Sequence, residues 1–435
     1  MKSKSLLIES SPDLRGNRRF PWLYVPSIYF AEGLPWVLVN LVSVTMYATL
    51  GVSNSTIGLV TSNLAWAWAF KMLWSPYIDS YLTKRTWLII MQFSISSVLI
   101  LVGFSMQLDN YFVITVVLFS IIAFLSATND ISIDGYYMLS LSKEQQAFFV
   151  GIRSLFYRIS MIFGTGVLVF LAGMFEESYS IQKSWMLVFL AAGGLFLLIS
   201  IFHMYYLPRY ESAKDNIRRE NAKRGEGIPF IKVFRMYFTQ NKIGPVIAFI
   251  LLYRFGEAMI SKMLPPFLIN STDVGGLGLS TTDLGLIQGT LGITGLITGG
   301  ILGGWLIYKF GLKKCIWPLA LALNMPNLLY IYLAYVIPDI SIIYIIVGFE
   351  QFGYGLGFSS FMMFLIHVSK GEYKTSFYAI STGIMALGLN LPGMLSGFIQ
   401  EWLGYRYFFI LASITTIPGM LTLFFIPLDD NKGTS

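Results

Sequence analysis

The 435-residue sequence is poor in the groups with which soluble enzymes usually work. A single cysteine, Cys315, excludes an internal disulfide. Two histidines, His203 and His367, stand near the ends of apolar runs and are too few for a histidine metal centre or a histidine proton relay. No nucleophile–base spacing and no metal-ligand set occurs, which argues against an enzyme. No G-x-x-x-x-G-K-[ST] match occurs either, so ATP cannot drive the protein from within this chain. Charge is scarce as well: 12% of residues are Asp, Glu, Lys or Arg, against about 25% in soluble domains. Residues 1–20 are polar, and the apolar run that follows is too long for the core of a cleaved secretory signal.

What fills the sequence instead is apolar. Hydrophobic residues make up 55% of it, and the mean hydropathy is +0.66. Apolar runs near 22–50, 56–80, 86–108, 111–141, 146–173, 184–207, 244–270, 283–308, 315–336, 339–368, 375–400 and 403–427 are each long enough to cross about 30 Å of hydrocarbon. Twelve crossings predict an all-α membrane protein. Basic residues choose its orientation: Arg18, Arg19, Lys84, Arg85, Lys143, Lys309, Lys313, Lys314, Lys370 and Lys374 fall on one side with both termini, while the other side holds only Lys183 and Arg406 beside Asp109, Glu176, Glu177, Asp273, Asp339 and Glu401. The positive-inside rule therefore predicts cytoplasmic N and C termini. It also accounts for the net charge of +7 without any nucleic-acid partner.

The longest hydrophilic stretch, 208–243, divides the runs six and six. The expected layout is a cytoplasmic tail (1–20), a six-helix bundle (21–207), a cytoplasmic linker (208–243) with a surface helix around Phe230 to Phe238, a second six-helix bundle (244–428) and a short tail (429–435). The halves echo each other. STIGL at 55–59 corresponds to TTDLGL at 281–286, with Gly58 and Gly285 227 residues apart, and the Ser-Lys pairs at 142–143 and 369–370 keep the same offset. Two parallel repeats with a solute site between them describe an alternating-access carrier, acting as a monomer on a small molecule in the bilayer.

Ionisable residues inside the runs are the candidate machinery, since a charge at the bilayer centre costs at least about 2.5–3.5 kcal/mol. In SATNDISIDGYY, Asp130 and Asp134 are spaced i, i+4 on run four and share a helix face. Asp130 is a candidate for proton coupling, whereas Asp134 is expected to brace a gate by pairing with Arg153 or Arg158 on run five. Arg158, beside Tyr157, offers a planar fork for an anionic solute. Glu32, also a candidate for proton coupling, sits at mid-depth before Pro35, which is expected to break the helix ladder, and Lys71 is its candidate partner. Run seven supplies Arg254 and Glu257 at i, i+3, with Glu257 a second proton candidate, and Lys262 further on. Glu350 and Gln351 lie at mid-depth of run ten. Asp79 and Arg85, flanking the loop between runs two and three, are gating candidates. Trp68 and Tyr136 are candidate stacking surfaces, and Asn324, Asn327 and Asn390 read as ordinary helix-contact residues.

AEGLP (31–35), FKMLWSPYIDSY (70–81), SATNDISIDGYY (126–137), YRFGEA (253–258), TDLGLIQGTLG (282–292) and GFEQFGYGLG (348–357) together resemble the AmpG-type muropeptide permeases of the major facilitator superfamily. The resemblance implies two pseudo-symmetric six-helix bundles in a bacterial inner membrane. It further implies import of N-acetylglucosaminyl-anhydro-muramyl species and their peptides for peptidoglycan recycling, by proton symport and with no cofactor beyond the gradient. On that footing Arg158, Arg254, Tyr157, Lys71, Glu350, Gln351, Trp68 and Tyr136 are substrate candidates. Similarity of the family to acetyl-CoA transporters supplies the alternative, an acyl-CoA or other anionic metabolite. The chain departs from the commoner superfamily pattern in the 2–3 loop, WSPYIDSYLTKR, and has no acid in the 8–9 loop, GGWLIYKFGLKK.

Overall fold

A computed structural model of the chain describes residues 21–80, 82–141, 143–209, 230–369 and 374–428. Both expected tails, most of the expected linker, and the side chain of Asp79 lie outside the described residues. Among those residues the protein is helical throughout, with no strand.

The crossings are α1 (Pro21–Thr49), α2 (54–80), α3 (Lys84–Ser105), α4 (Tyr111–Ser140), α5 (143–176), α6 (Ile181–Tyr206), α7 (Ile243–Ile269), α8 (Thr281–Phe310), α9 (Leu312–Val336), α10 (Ile340–Val368), α11 (374–403) and α12 (405–422). Ten continuous helices are long and apolar enough to span a membrane. The last of these is one uninterrupted run to Thr422 only in its hydrogen bonding: Gly404, at φ +71°, folds it into α11 and α12. Glycine is needed there because a side chain disfavours positive φ. The remaining crossing, α2, is broken at Ala65 and again by a 3-10 turn at Lys71–Leu73, so no part of it is long enough alone.

Side chains sort by helical face. On α4, Val113, Val117, Ile121 and Phe124 form an exposed apolar stripe suited to lipid, while Thr115, Phe119, Ile122, Ser126, Asn129 and Asp130 are buried on the opposite face. The buried residues of each apolar cluster come from one half of the chain: Val37, Leu99, Phe119, Trp185 and Phe189 in the first, Phe267, Tyr330, Phe408 and Phe409 in the second. The helix at Phe230–Phe238 packs Val233 and Tyr237 against α11, with Tyr237 bonded to Ser381 at 2.9 Å, and leaves Phe234, Met236 and Phe238 exposed.

The halves meet backbone to backbone along α2·α11 and α5·α8. At the first contact a methyl group on Gly58 would come to 3.0 Å from the Gly393 carbonyl, and one on Gly393 to 2.8 Å from Ser62 Oγ. At the second, a methyl on Gly285 would come to 2.6 Å from the Phe170 nitrogen, and one on Gly166 to 2.9 Å from Gly289 Cα. The 227-residue offset read in the sequence carries Gly58 to Gly285, Ser62 to Gly289 and Gly166 to Gly393. The same offset thus carries one contact onto the other. Small residues are required because helix axes can approach this closely only where no side chain intervenes.

Candidate functional site

Between the halves lie two connected chambers. The outer one, about 300 Å³, is lined by Asn40, Ser62, Arg254, Glu257, Lys262, Gln288, Gln351 and Asn390 among others. The inner one, about 350 Å³, is lined by Tyr29, Glu32, Arg153, Tyr157, Arg158 and Phe358. Trp36, Met161, Leu296 and Tyr354 line both, so the two chambers adjoin, and each is within the size range of small-molecule sites.

Irregular helix turns deliver the polar lining. Pro35 removes one backbone donor, and α1 widens into a π-turn at Leu38–Val42 that carries Asn40. Further π-turns at Ile162–Leu168 on α5 and Ile287–Gly292 on α8 carry Thr165 and Gln288. In each case the insertion re-aims a polar side chain into the cavity, the recurrent use of such turns. On α7 the ladder breaks at Tyr253–Arg254, which lets Arg254 reach the Tyr354 hydroxyl on α10.

Arg254 is held by Glu257 through Nη2 at 2.9 Å and Nε at 3.1 Å, and its guanidinium also lies over the rings of Tyr354 and Phe358. The local i, i+3 pairing expected from the sequence is therefore present, and it leaves Arg254 neutralised. In the first half, Arg153 pairs with Asp134 at 3.1 Å, Tyr29 donates to the same carboxylate at 3.1 Å, and the guanidinium stacks on Tyr29 and Tyr137. Asp134 thus pairs with Arg153 and not with Arg158.

Lys71 departs from expectation. Its partner is Asp130 at 3.4 Å rather than Glu32, because the tighter 3-10 turn at Lys71–Leu73 directs the ammonium onto α4. Glu32 is buried, lines the inner chamber, and its Oε2 has no hydrogen-bond partner among the described residues. Asp130 Oδ1 has none either. Each of these two buried carboxylates, on α1 and α4, thus keeps one oxygen without a hydrogen bond among the described residues.

Other predicted residues fall away from the cavity lining. Glu350 is buried toward α9, accepting from Tyr330 and from its neighbour Gln351 at 2.9 Å each, whereas Gln351 itself lines the outer chamber. Trp68 packs against the core of the first half. Tyr136 donates to the Pro208 carbonyl at 3.0 Å, and Arg85 donates to the carbonyls of Leu207, at 2.9 Å, and Met204; both fasten the end of α6 to its own half. His203 is fully buried between Gln92 and Ser27, at 2.6 and 2.9 Å, a structural position. Asn40, Gln288, Asn390 and Trp36 line the cavity without having been singled out for it, and Lys262, noted as a mid-run charge, joins them. Their one sequence signal was proximity to Pro, Gly or a mid-run charge.

At the end away from the basic loops, the halves are joined by side chains. Asn54 on α2 donates to Gln400 and to the Tyr405 hydroxyl, which also accepts from Asn270 at 2.9 Å. Ser55 NH donates to Glu401 at 2.8 Å, and Thr281 on α8 donates to Glu176 on α5 at 2.8 Å.

The comparisons with known proteins agree with this architecture. The sequence profile of the Major Facilitator Superfamily matches residues 27–276 and 246–435. An anhydromuropeptide permease of Escherichia coli (strain K12) is 25% identical over 91% of this chain and 77% of its own length. A transporter named AmpG 2 of Rickettsia prowazekii is 25% identical over 95% of this chain and 97% of its own length. Among solved structures, an inward-facing bacterial homologue of the human lysosomal transporter Spinster aligns with a TM-score of 0.73 at 14% identity, covering 94% and 97% of the two chains. A D-xylose–proton symporter aligns at 0.70 and 14% identity, covering 93% and 97%. With its helices, its two mutually offset contacts and its central cavity, this multi-pass membrane protein belongs to the Major Facilitator Superfamily of transporters.

Proposed function

We propose that the protein imports anhydro-muropeptides or related amino-sugar glycans across a bacterial cytoplasmic membrane, with both termini in the cytoplasm, by proton-coupled alternating access. The observation that carries this reading is that four side-chain amides, Asn40, Gln288, Gln351 and Asn390, line the outer chamber together with Trp36. Side-chain amides match the acetamido and hydroxyl groups of an N-acetylated sugar in both donor and acceptor capacity, and an indole face accepts the apolar face of a sugar ring. The names of the Escherichia coli and Rickettsia relatives support the same substrate class. An acyl-CoA is a poorer match: its phosphates call for clustered bases, and here Arg153 and Arg254 are each taken by a carboxylate while Arg158 and Lys262 line different chambers.

Coupling is assigned to Glu32, Asp130 and Glu257, carboxylates at the cavity or beside it. A proton can shift the facing equilibrium only as far as its affinity differs between the two facings. Breaking and remaking the Asp130–Lys71 and Glu257–Arg254 pairs would supply that difference.

Uptake into proteoliposomes under an imposed pH gradient tests the reading, with an anhydro-muramyl disaccharide peptide, free N-acetylglucosamine and acetyl-CoA as solutes. The expected result is gradient-driven accumulation of the glycan peptide alone, reduced to simple equilibration in Glu32→Gln or Asp130→Asn. Accumulation of acetyl-CoA, or glycan uptake indifferent to the gradient, would overturn it.

A further inference from the structure

The cavity holds more positive charge than its own carboxylates neutralise, and that excess is placed at two separate depths. Arg153 and Arg254 have carboxylate partners; Arg158 and Lys262 have none within ion-pair distance among the described residues. Lys262, on α7, donates only to the neutral Thr61 hydroxyl, at 3.0 Å.

Two further polar groups meet the same part of the outer chamber. Ser62 Oγ, on α2, and Asn390 Nδ2, on α11, are buried and have no hydrogen-bond partner among the described residues. Ser62 is 1% exposed and Asn390 8%, so water does not serve them freely. Buried donors left unsatisfied are costly, and here they come from both halves of the protein. Gly393, one turn beyond Asn390 on α11, keeps the space open: a methyl group there would stand 2.8 Å from Ser62 Oγ and 3.6 Å from Lys262 Cε. An ammonium, a hydroxyl and an amide N–H, with no acid among them, form a donor set for a carboxylate.

The geometry points to a second anion subsite, made by Lys262, Ser62 and Asn390, that acts together with Arg158 to select an elongated solute bearing two anionic groups. Arg158 and Tyr354 line the inner chamber, and Arg254, which lines the outer one, donates to the Tyr354 hydroxyl where the two chambers meet. Lys262 lies eight residues further along the same helix as Arg254, about 12 Å at 1.5 Å per residue. The neutral Arg254–Glu257 pair occupies the interval. On the reading proposed above, on which this inference rests, the sugar sits among the amides and Trp36. A carboxylate of the attached peptide then occupies one cationic end and a second carboxylate the other. A peptide-free or amidated glycan leaves Lys262 unpaired. Because α2, α7 and α11 each contribute a donor, an anion at this subsite also ties the two halves together at the closed end.

The test is equilibrium binding, read from tryptophan fluorescence, to the full-length protein in lipid nanodiscs. The probes are an anhydro-muramyl tripeptide, the same glycan with its peptide carboxylates amidated, and decanedioate, an unbranched dicarboxylate with no sugar. The wild type is expected to prefer the free acid, and Lys262→Gln to weaken the free acid by about 30-fold or more while leaving the amidated form unchanged. Lys262→Arg is expected to recover most of the preference, which a variant that merely failed to fold would not do. Equal affinity of wild type and Lys262→Gln for the free acid would overturn the subsite. If neither glycan binds, the muropeptide reading fails, and decanedioate then decides the subsite alone: saturable binding lost in both Lys262→Gln and Arg158→Gln upholds it, and no binding overturns it.

Discussion

Replacing Arg254 with leucine is expected to destabilise the protein by about 3–5 kcal/mol, the cost of leaving one partner of a buried ion pair uncompensated. Its side chain is 9% exposed and that of Glu257 is 7%, so solvent cannot take over the solvation of the stranded carboxylate. The Arg254→Leu/Glu257→Leu double variant is expected to regain most of that loss, because a buried ion pair replaced by apolar side chains of similar volume is often neutral or stabilising. Transport separates from stability in this series. The double variant should fold and still fail to accumulate solute, since it lacks both the carboxylate to which coupling is assigned above and the hydrogen bond to Tyr354. Thermal unfolding midpoints and uptake, measured on the four members of the cycle, check both statements. Full uptake by the double variant would remove Glu257 from the coupling assignment.

The second large effect concerns the backbone contacts between halves. A methyl group on Gly289 would overlap the Cα of Gly166, and one on Gly397 would overlap the Asn54 carbonyl. Backbone atoms cannot rotate aside as a flexible side chain can, so the helices must separate. Gly289→Val or Gly397→Val is therefore expected to disfavour closure of the end that carries Asn54, Gln400 and Tyr405. Overpacking costs typically about 1–3 kcal/mol, which moves a two-state equilibrium by about 5- to 150-fold. In a Cys315→Ser background, a cysteine at Ser62 should then react about tenfold faster or more with a membrane-impermeant thiol reagent from that side, while solute uptake falls. Gly304→Val, where an added methyl meets nothing within 4 Å, is the control and should change neither. Unchanged labelling in Gly397→Val would show that the contact is not what holds this end shut.

Much of the architecture was legible in the sequence because the bilayer enforces it. A helix must carry about 20 apolar residues to cross, and basic loops must be shared unequally between the sides. The internal offset was legible too. Gly58 and Gly285 keep their spacing because both occupy the same kind of close helix contact, where no side chain fits. The pairing of Arg254 with Glu257 followed from helix geometry alone.

Partners on different helices were harder to read. Lys71 was matched to Glu32 by depth, yet a 3-10 turn within α2 turns it to Asp130. Glu350 has the right depth and turns its carboxylate away from the solute, to Tyr330, while the adjacent Gln351 faces inward. One residue of helix is a rotation of about 100°, so depth along a helix says nothing of direction until the neighbours are placed.

The amino-acid sequence by itself determined the class of protein, its long apolar helices and the repeat, because these follow from hydropathy, charge and spacing along one dimension. Only the tertiary structure decided which polar groups meet. Asn40, Thr165 and Gln288 reach the cavity through π-turns that depend on local ladder defects, and Lys262 donates to Thr61 on another helix with no carboxylate within ion-pair distance among the described residues. Those are properties of orientation between helices, and orientation is fixed by packing.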